Sequence, residues 1–211
     1  MKNIVNLLKL QYNSLFALKK NLTIILLLAV FFEIFQPFMI TFSGNMFLMV
    51  SCYSLVFYEE KSKMNYLIYS LPITTNEYIL SKYIFGFINT IISILISTAL
   101  FFIVKLLGYN SEVASMPISA IAFSTLAIGV FFLAIVQPAA LLLGSEKGRY
   151  VIVFLAVLPI TFSTSLLQIL PEINITINHT IMGILITLVS ITILLASYFI
   201  TCNRFSKKEV A

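Results

Sequence analysis

Residues 58–82 read YEEKSKMNYLIYSLPITTNEYILSK and form the one substantial hydrophilic stretch between apolar segments of this chain. Glu59 and Lys63 stand four residues apart with the acid first, the favourable order for an ion pair on a helix. Pro72 ends that helix, because proline lacks an N–H and disfavours a helical residue before it. Between Lys63 and Pro72, apolar residues at helical spacing predict one apolar face of that helix. These residues are Met64, Leu67, Ile68 and Leu71.

A second helix is predicted to begin directly after Pro72. Thr74 and Glu77 match a capping box, in which the Thr hydroxyl accepts from the Glu amide and the Glu carboxylate reaches back. Ile73 and Tyr78 occupy the positions of the accompanying hydrophobic staple. The stretch therefore indicates a surface helix, a break and a capped helix that enters the membrane. It is either a solvated loop between two spans or a docking element for a cytoplasmic partner.

Composition places the rest of the chain in a lipid environment. Of 211 residues, 60% are hydrophobic and 10% are charged, and the mean hydropathy is +1.05. Soluble domains carry about 25% charged residues. Since a membrane-spanning helix needs about 20 residues, the chain has room for about six spans and for no large extramembrane domain. The predicted fold is all-α: a single transmembrane domain over residues 1–211.

The predicted spans are placed from runs of apolar residues. They are Asn21–Ile40, Ser43–Tyr58, Tyr83–Leu106, Pro117–Leu143, Tyr150–Leu170 and Thr180–Thr201. Ahead of them, residues 1–20 show an amphipathic pattern and predict a helix lying in the membrane interface, its lysines toward anionic headgroups. Its apolar face consists of Ile4, Leu8, Tyr12, Leu15 and Phe16.

The distribution of positive charge predicts the orientation. If the N-terminus is inside, twelve of the thirteen Lys and Arg residues fall in inner segments, and only Lys105 lies at an outer edge. Cytoplasmic loops are enriched in Lys and Arg, so both termini are predicted to be cytoplasmic. The net charge of +5 is thereby a topology signal, and we expect no nucleic-acid partner.

The sequence lacks the motifs of an enzyme. No Gly-rich phosphate-binding loop is present, so we expect no nucleotide site in this chain. One histidine and two cysteines cannot assemble a catalytic metal site, and Cys52 and Cys202 are predicted to be free thiols.

Three polar residues lie within predicted spans. Glu33 is about 20 Å along a helix from Lys20, and Gln36 follows it by one turn. Gln137 lies in the fourth predicted span. Gln36 and Gln137 each precede a proline, which should kink its helix. The three side chains either line a translocation path or form hydrogen bonds between helices.

The layout resembles the compact type-2 permeases of bacterial ABC transporters, in which a separate subunit hydrolyses ATP. The resemblance in detail is confined to the hydrophilic stretch. It is carried by Glu59, Glu60, Lys61, Tyr66, Leu67, Ser70, Leu71, Pro72, Ile73, Tyr78, Leu80, Ser81, Lys82 and Tyr83. Two departures are Asn65-Tyr66, where a Gly-Trp-like pair is common, and Thr75, where a basic residue is common.

The resemblance implies that residues 59–82, here called the connector, include a coupling helix that fits a groove on the ATPase. The implied coupling residues are Glu59, Glu60, Lys61, Tyr66, Leu67, Leu71, Pro72, Thr74, Glu77 and Lys82. Two ATPase copies would push on the connector and tilt the third span against the first two. A second permease copy or a homologous permease completes the path in such transporters, and the stretch Gln168–Thr180 would be re-entrant on the outer side.

The resemblance further implies a multi-pass protein of the bacterial cell membrane, with ATP and magnesium held by the partner. Similar permeases export amphipathic toxin peptides such as phenol-soluble modulins. Others export bacteriocins or drugs. The aromatic content, 19 Phe and 10 Tyr, also suits an amphipathic or hydrophobic cargo. Two alternatives remain: the substrate-binding membrane subunit of a vitamin importer, and a membrane immunity or sensor protein that transports nothing.

Overall fold

A computed structural model describes residues 2–17, 20, 23–24, 27, 31, 40–62, 73–107, 117–169 and 179–208. These residues are almost entirely helical. The helices are α1 (Lys2–Ala17), α2 (Ile40–Lys61), α3 (Thr75–Leu107), α4 (Ile118–Ile169) and α5 (His179–Lys208).

Four stretches of the described chain are long and apolar enough to cross a membrane. They are Ile40–Lys61, Thr75–Leu106, Ile118–Gly144 and Ile184–Lys207. They coincide with the second, third, fourth and sixth predicted spans. The fifth predicted span falls on the second half of α4, and the first lies almost wholly outside the described residues, so the count of six stays a prediction.

Helix α3 begins earlier than the predicted third span. It has 33 residues and a length of about 50 Å, against about 30 Å for the hydrocarbon core of a bilayer. The additional residues precede Tyr83, so the first turns of α3 belong to the connector.

Helix α4 packs against α2, α3 and α5 and is the centre of the bundle. Its residues Leu133 and Val136 join Leu48, Met49 and Cys52 of α2 in a buried apolar cluster. Close approach depends on small residues, because a Cβ at Gly129 would lie 2.6 Å from Asn45 Oδ1 and 2.8 Å from Thr90 Cγ2. Side chains of α2 and α3 therefore pack directly against the backbone of α4 at Gly129.

Helix α4 breaks at Gly144, where φ is 78° and ψ is 176°. This backbone region is essentially restricted to glycine. At Pro138, where the sequence predicts a kink, the backbone dihedrals are helical, and the residue of α4 with non-helical dihedrals is Gly144. The break at Gly144 coincides with the predicted boundary between the fourth and fifth spans.

Helix α1 packs on protein as well as presenting an apolar surface. Leu7, Gln11 and Leu15 are buried, whereas Phe16, predicted on the apolar face, is exposed. The ring of Tyr12 lies 5.0 Å from that of Phe85 in α3, centroid to centroid. Burial raises the pKa of the Tyr12 hydroxyl. The buried face is thus rotated relative to the predicted one, because Gln11 points inward.

Candidate functional site

The two ends of the connector meet in an ion pair. Lys82 Nζ lies 2.5 Å from Glu59 Oε1, and the side chains are 0% and 2% exposed. The Tyr78 hydroxyl donates to Glu59 Oε2 at 3.0 Å, and Lys82 Nζ lies 5.3 Å from the centroid of the Tyr78 ring. Each carboxylate oxygen of Glu59 thus accepts a hydrogen bond from a residue of α3.

This pairing corrects one sequence-based prediction, in which Glu59 pairs with Lys63. Glu59 and Lys82 are both among the residues that the resemblance implies for coupling to the ATPase. Because both side chains are enclosed by α2 and α3, neither is presented at the surface. Lys63 lies outside the described residues.

The capping box at the start of α3 is confirmed. The Glu77 amide donates to Thr74 Oγ1 at 3.3 Å, and the Thr74 amide donates to Glu77 Oε2 at 3.2 Å. Asn3 Nδ2 also donates to Glu77 Oε2, at 3.5 Å, so α1 contacts the same turn. Thr74 and Asn76 are exposed, which leaves this turn accessible to a partner.

The other described end of the connector is divided between a surface and a contact with α4. Lys61 is exposed, and its Nζ lies 5.8 Å from the centroid of the Phe57 ring. Glu60 turns toward the break in α4, since a Cβ at Gly144 would lie 3.1 Å from Glu60 Oε1. The pair Glu59-Glu60 therefore contacts α3 with one carboxylate and reaches the α4 break with the other.

Gln137 makes a contact between helices. Its Nε2 donates to the carbonyl oxygen of Lys82 at 3.0 Å, and the residue is 1% exposed. Its Oε1 is buried and has no hydrogen-bond partner among the described residues. Of the two roles left open by the sequence, the geometry favours the hydrogen bond between helices over the lining of a path. We call Glu59, Lys82 and Gln137 the connector-end clamp.

A second polar contact joins the same three helices and was missed by the sequence analysis. Asn45 Nδ2 donates to the Thr125 carbonyl oxygen at 3.1 Å, and Ser93 Oγ donates to Asn45 Oδ1 at 3.2 Å. All three residues are fully buried. Asparagine, serine and threonine are common in apolar helices, and no spacing signal marks these. We call Asn45, Ser93 and Thr125 the mid-helix clamp.

Two further contacts attach α1 and α5 near the connector-end clamp. Gln11 Nε2 donates to Ser81 Oγ at 2.9 Å, which links α1 to α3. The Tyr83 hydroxyl lies 2.9 Å from both Ser197 Oγ and Thr201 Oγ1 of α5. Consecutive residues 81, 82 and 83 thus contact four different helices, α1, α2, α4 and α5.

Several predicted site residues lie outside the described residues. They are Glu33, Gln36, Tyr66, Leu67, Leu71 and Pro72, as is most of the predicted re-entrant stretch 168–180. In the part of the chain that the structure describes, no group of three His, Cys, Asp or Glu side chains could hold a metal ion. The described cysteines, Cys52 and Cys202, are free thiols.

Comparison with known proteins gives one match. The model of a family described as "ABC-2 family transporter protein" matches residues 6–206, which is nearly the whole chain. No curated protein and no solved structure matches.

Proposed function

Since the chain belongs to the ABC-2 transporter family, whose members are the membrane permease components of ABC transporters, we propose that it is the permease of an ATP-driven exporter. Its partner is a cytoplasmic ABC ATPase, in two copies, that binds ATP and magnesium. A second copy of this chain or a homologous permease completes the path. The protein spans the bacterial cell membrane with both termini inside.

The connector is the proposed docking element for the ATPase. The observation that carries this proposal is the pairing of Glu59 with Lys82, which holds the two ends of the connector together on adjacent helices. A segment closed at its base in this way can pass a push from a partner into the bundle. The surface offered for docking includes Lys61, Thr74 and Asn76, which are exposed.

The mechanism requires no covalent chemistry in this chain. Binding of ATP closes the two ATPases, and their movement shifts the permease between inward-open and outward-open states. A partner changes this equilibrium only through contacts that differ between the two states. The apolar, aromatic composition supports a hydrophobic or amphipathic cargo, such as a toxin or antimicrobial peptide or a drug. Membership in a transporter family also favours this proposal over the importer-subunit and immunity-protein alternatives.

Co-purification tests the proposal. The tagged chain is expressed with the ATPase encoded beside it, and we expect the ATPase to be retained in detergent. Lys61→Glu together with Leu71→Arg should lower this retention, because both changes fall on the proposed docking segment. Lys105→Glu is the matched control, since it reverses another exposed lysine that lies over a phenylalanine ring, at the opposite end of α3 from the connector. A reference protein that never retains the ATPase would refute the proposal.

A further inference from the structure

We propose that Lys82 is a positioning residue for transport, through which motion of the connector reaches α4. The inference rests on the proposed function and adds the route of transmission. Lys82 contacts α2 with its side chain, which pairs with Glu59 at 2.5 Å. It contacts α4 with its main chain, whose carbonyl oxygen accepts from Gln137 at 3.0 Å. One residue at the end of the connector is thus bonded to both neighbouring helices.

The stability of the fold does not account for these groups. Burying an ion pair costs desolvation that its attraction often only repays, so a well-packed apolar pair serves stability equally well. Gln137 brings a buried Oε1 without a partner in the described part of the chain, which offsets part of what its other hydrogen bond contributes. Unlike apolar side chains, the charged and amide groups form directional hydrogen bonds between α2, α3 and α4.

The mid-helix clamp makes this attachment effective over distance. Ser93 follows Lys82 by eleven residues, or about 16 Å along α3, and its clamp joins the same three helices. Two polar clamps at different levels fix both the spacing and the rotation of the helices. The resemblance implied a tilt of the third span against the first two. Instead, α2, α3 and α4 would move as one unit, from the connector to the first turn of α4, which is the end of that helix away from the connector.

The test measures the accessibility of the first turn of α4. A cysteine at Ser119, which is exposed in the first turn of α4, is labelled with a maleimide in the complex with the co-purified ATPase. Cys202 is replaced by serine, and Cys52 is kept because it is buried. The labelling rate is compared without nucleotide and after trapping with ATP and vanadate. We expect the rate to change on trapping in this reference protein.

Two variants cut the attachment without leaving a buried charge alone. The double variant Glu59→Gln/Lys82→Met removes both charges, and Gln137→Leu removes the bond to the Lys82 carbonyl oxygen. Gln137→Leu, which lies outside the connector, should keep the ATPase bound, and in the ATPase-bound fraction of both variants the nucleotide-dependent change at Ser119→Cys should fall about five-fold or more, the lower end of typical coupling between sites. The exchange Glu59→Lys/Lys82→Glu should restore it. Ser190→Ala, a buried polar residue whose hydroxyl bonds within α5, is the control.

The outcomes separate this inference from the proposed function. If the reference protein retains no ATPase, the proposed function fails. If the ATPase is retained but labelling is insensitive to nucleotide, or if both cut variants respond like the reference, transmission through Lys82 is refuted and the docking role stands. Loss of the ATPase from Gln137→Leu would also refute it, because Gln137 would then serve assembly. If the charge exchange does not fold, Gln137→Leu decides alone.

Discussion

At the scale of single residues, several buried polar side chains of this chain bond to partners on neighbouring helices. Asn45 illustrates the pattern, since its amide bonds to α3 and α4 and also to the Thr41 carbonyl oxygen in its own helix. In lipid no water competes for these groups, so internal partners are required. Such bonds are individually weak, and their value lies in the orientation they impose.

Replacement of Asn45 measures what the mid-helix clamp contributes. Asn45→Leu keeps similar volume and removes the bonds to α3 and α4, so we expect a loss of about 1–2 kcal/mol in the free energy of unfolding. Unfolding of the purified protein in detergent provides the measurement. Asn203→Leu, at an exposed position of α5, should change it little. Equal effects of the two substitutions would contradict a clamp at Asn45.

The break in α4 depends on glycine for a backbone reason. Gly144→Ala forces a side chain into a conformation with φ of 78°, which costs about 1–3 kcal/mol. The new Cβ would also lie 3.1 Å from Glu60 Oε1. Combining Gly144→Ala with Glu60→Ala separates the two causes in a thermal unfolding series. We expect the loss to persist in the double variant, whereas full recovery would assign it to the contact with Glu60.

At the scale of helices, the start of α3 and the boundary within α4 could be predicted, but the residue at which α4 breaks could not. The capping box is a local signal between residues three apart, and such signals survive in any environment. The dihedral break in α4 depends instead on Gly144 together with the packing of Glu60 against it, and a lone glycine carries no such information. The inward orientation of the Gln11 side chain in α1 could not be predicted either, because its partner Ser81 is 70 residues away.

Loss of the cap should affect the first turn of α3 before it affects the whole protein. Thr74→Ala removes the hydroxyl that accepts from the Glu77 amide, at a cost of about 0.5–2 kcal/mol. Hydrogen exchange of the amides of residues 76–78 should accelerate. Asn76→Ala changes an exposed residue in the same turn and should leave the exchange of Glu77 nearly unchanged. Identical acceleration in both variants would argue against the cap.

At the scale of the whole molecule, the asymmetry of Lys and Arg residues predicts which side each connector faces. Cysteines introduced separately at Asn76 and Asn174, in a Cys202→Ser background, should react with a membrane-impermeant maleimide from opposite sides. Intact cells should label only position 174, and inverted vesicles only position 76. Labelling of both positions from the same side would overturn the orientation.

Fold class and family at this scale follow from composition and from the connector, because both are properties of the linear chain. The partners of the buried charged and amide side chains could not be predicted. Glu59 was assigned to Lys63 at helical spacing, whereas it pairs with Lys82, which is 23 residues away. That choice is made by the packing of α2 on α3, which brings two helix ends together that are separated by the whole connector.

The Glu59–Lys82 pair also bears on how the protein is made and how it changes over generations. An unaccompanied charge is costly in an apolar interior, so we expect the membrane-insertion machinery to release α2 and α3 into the bilayer together, as a helical hairpin. For the same reason, a mutation of one residue of the pair should destabilise the protein until the other residue changes as well. Selection should therefore preserve or replace residues 59 and 82 as a unit.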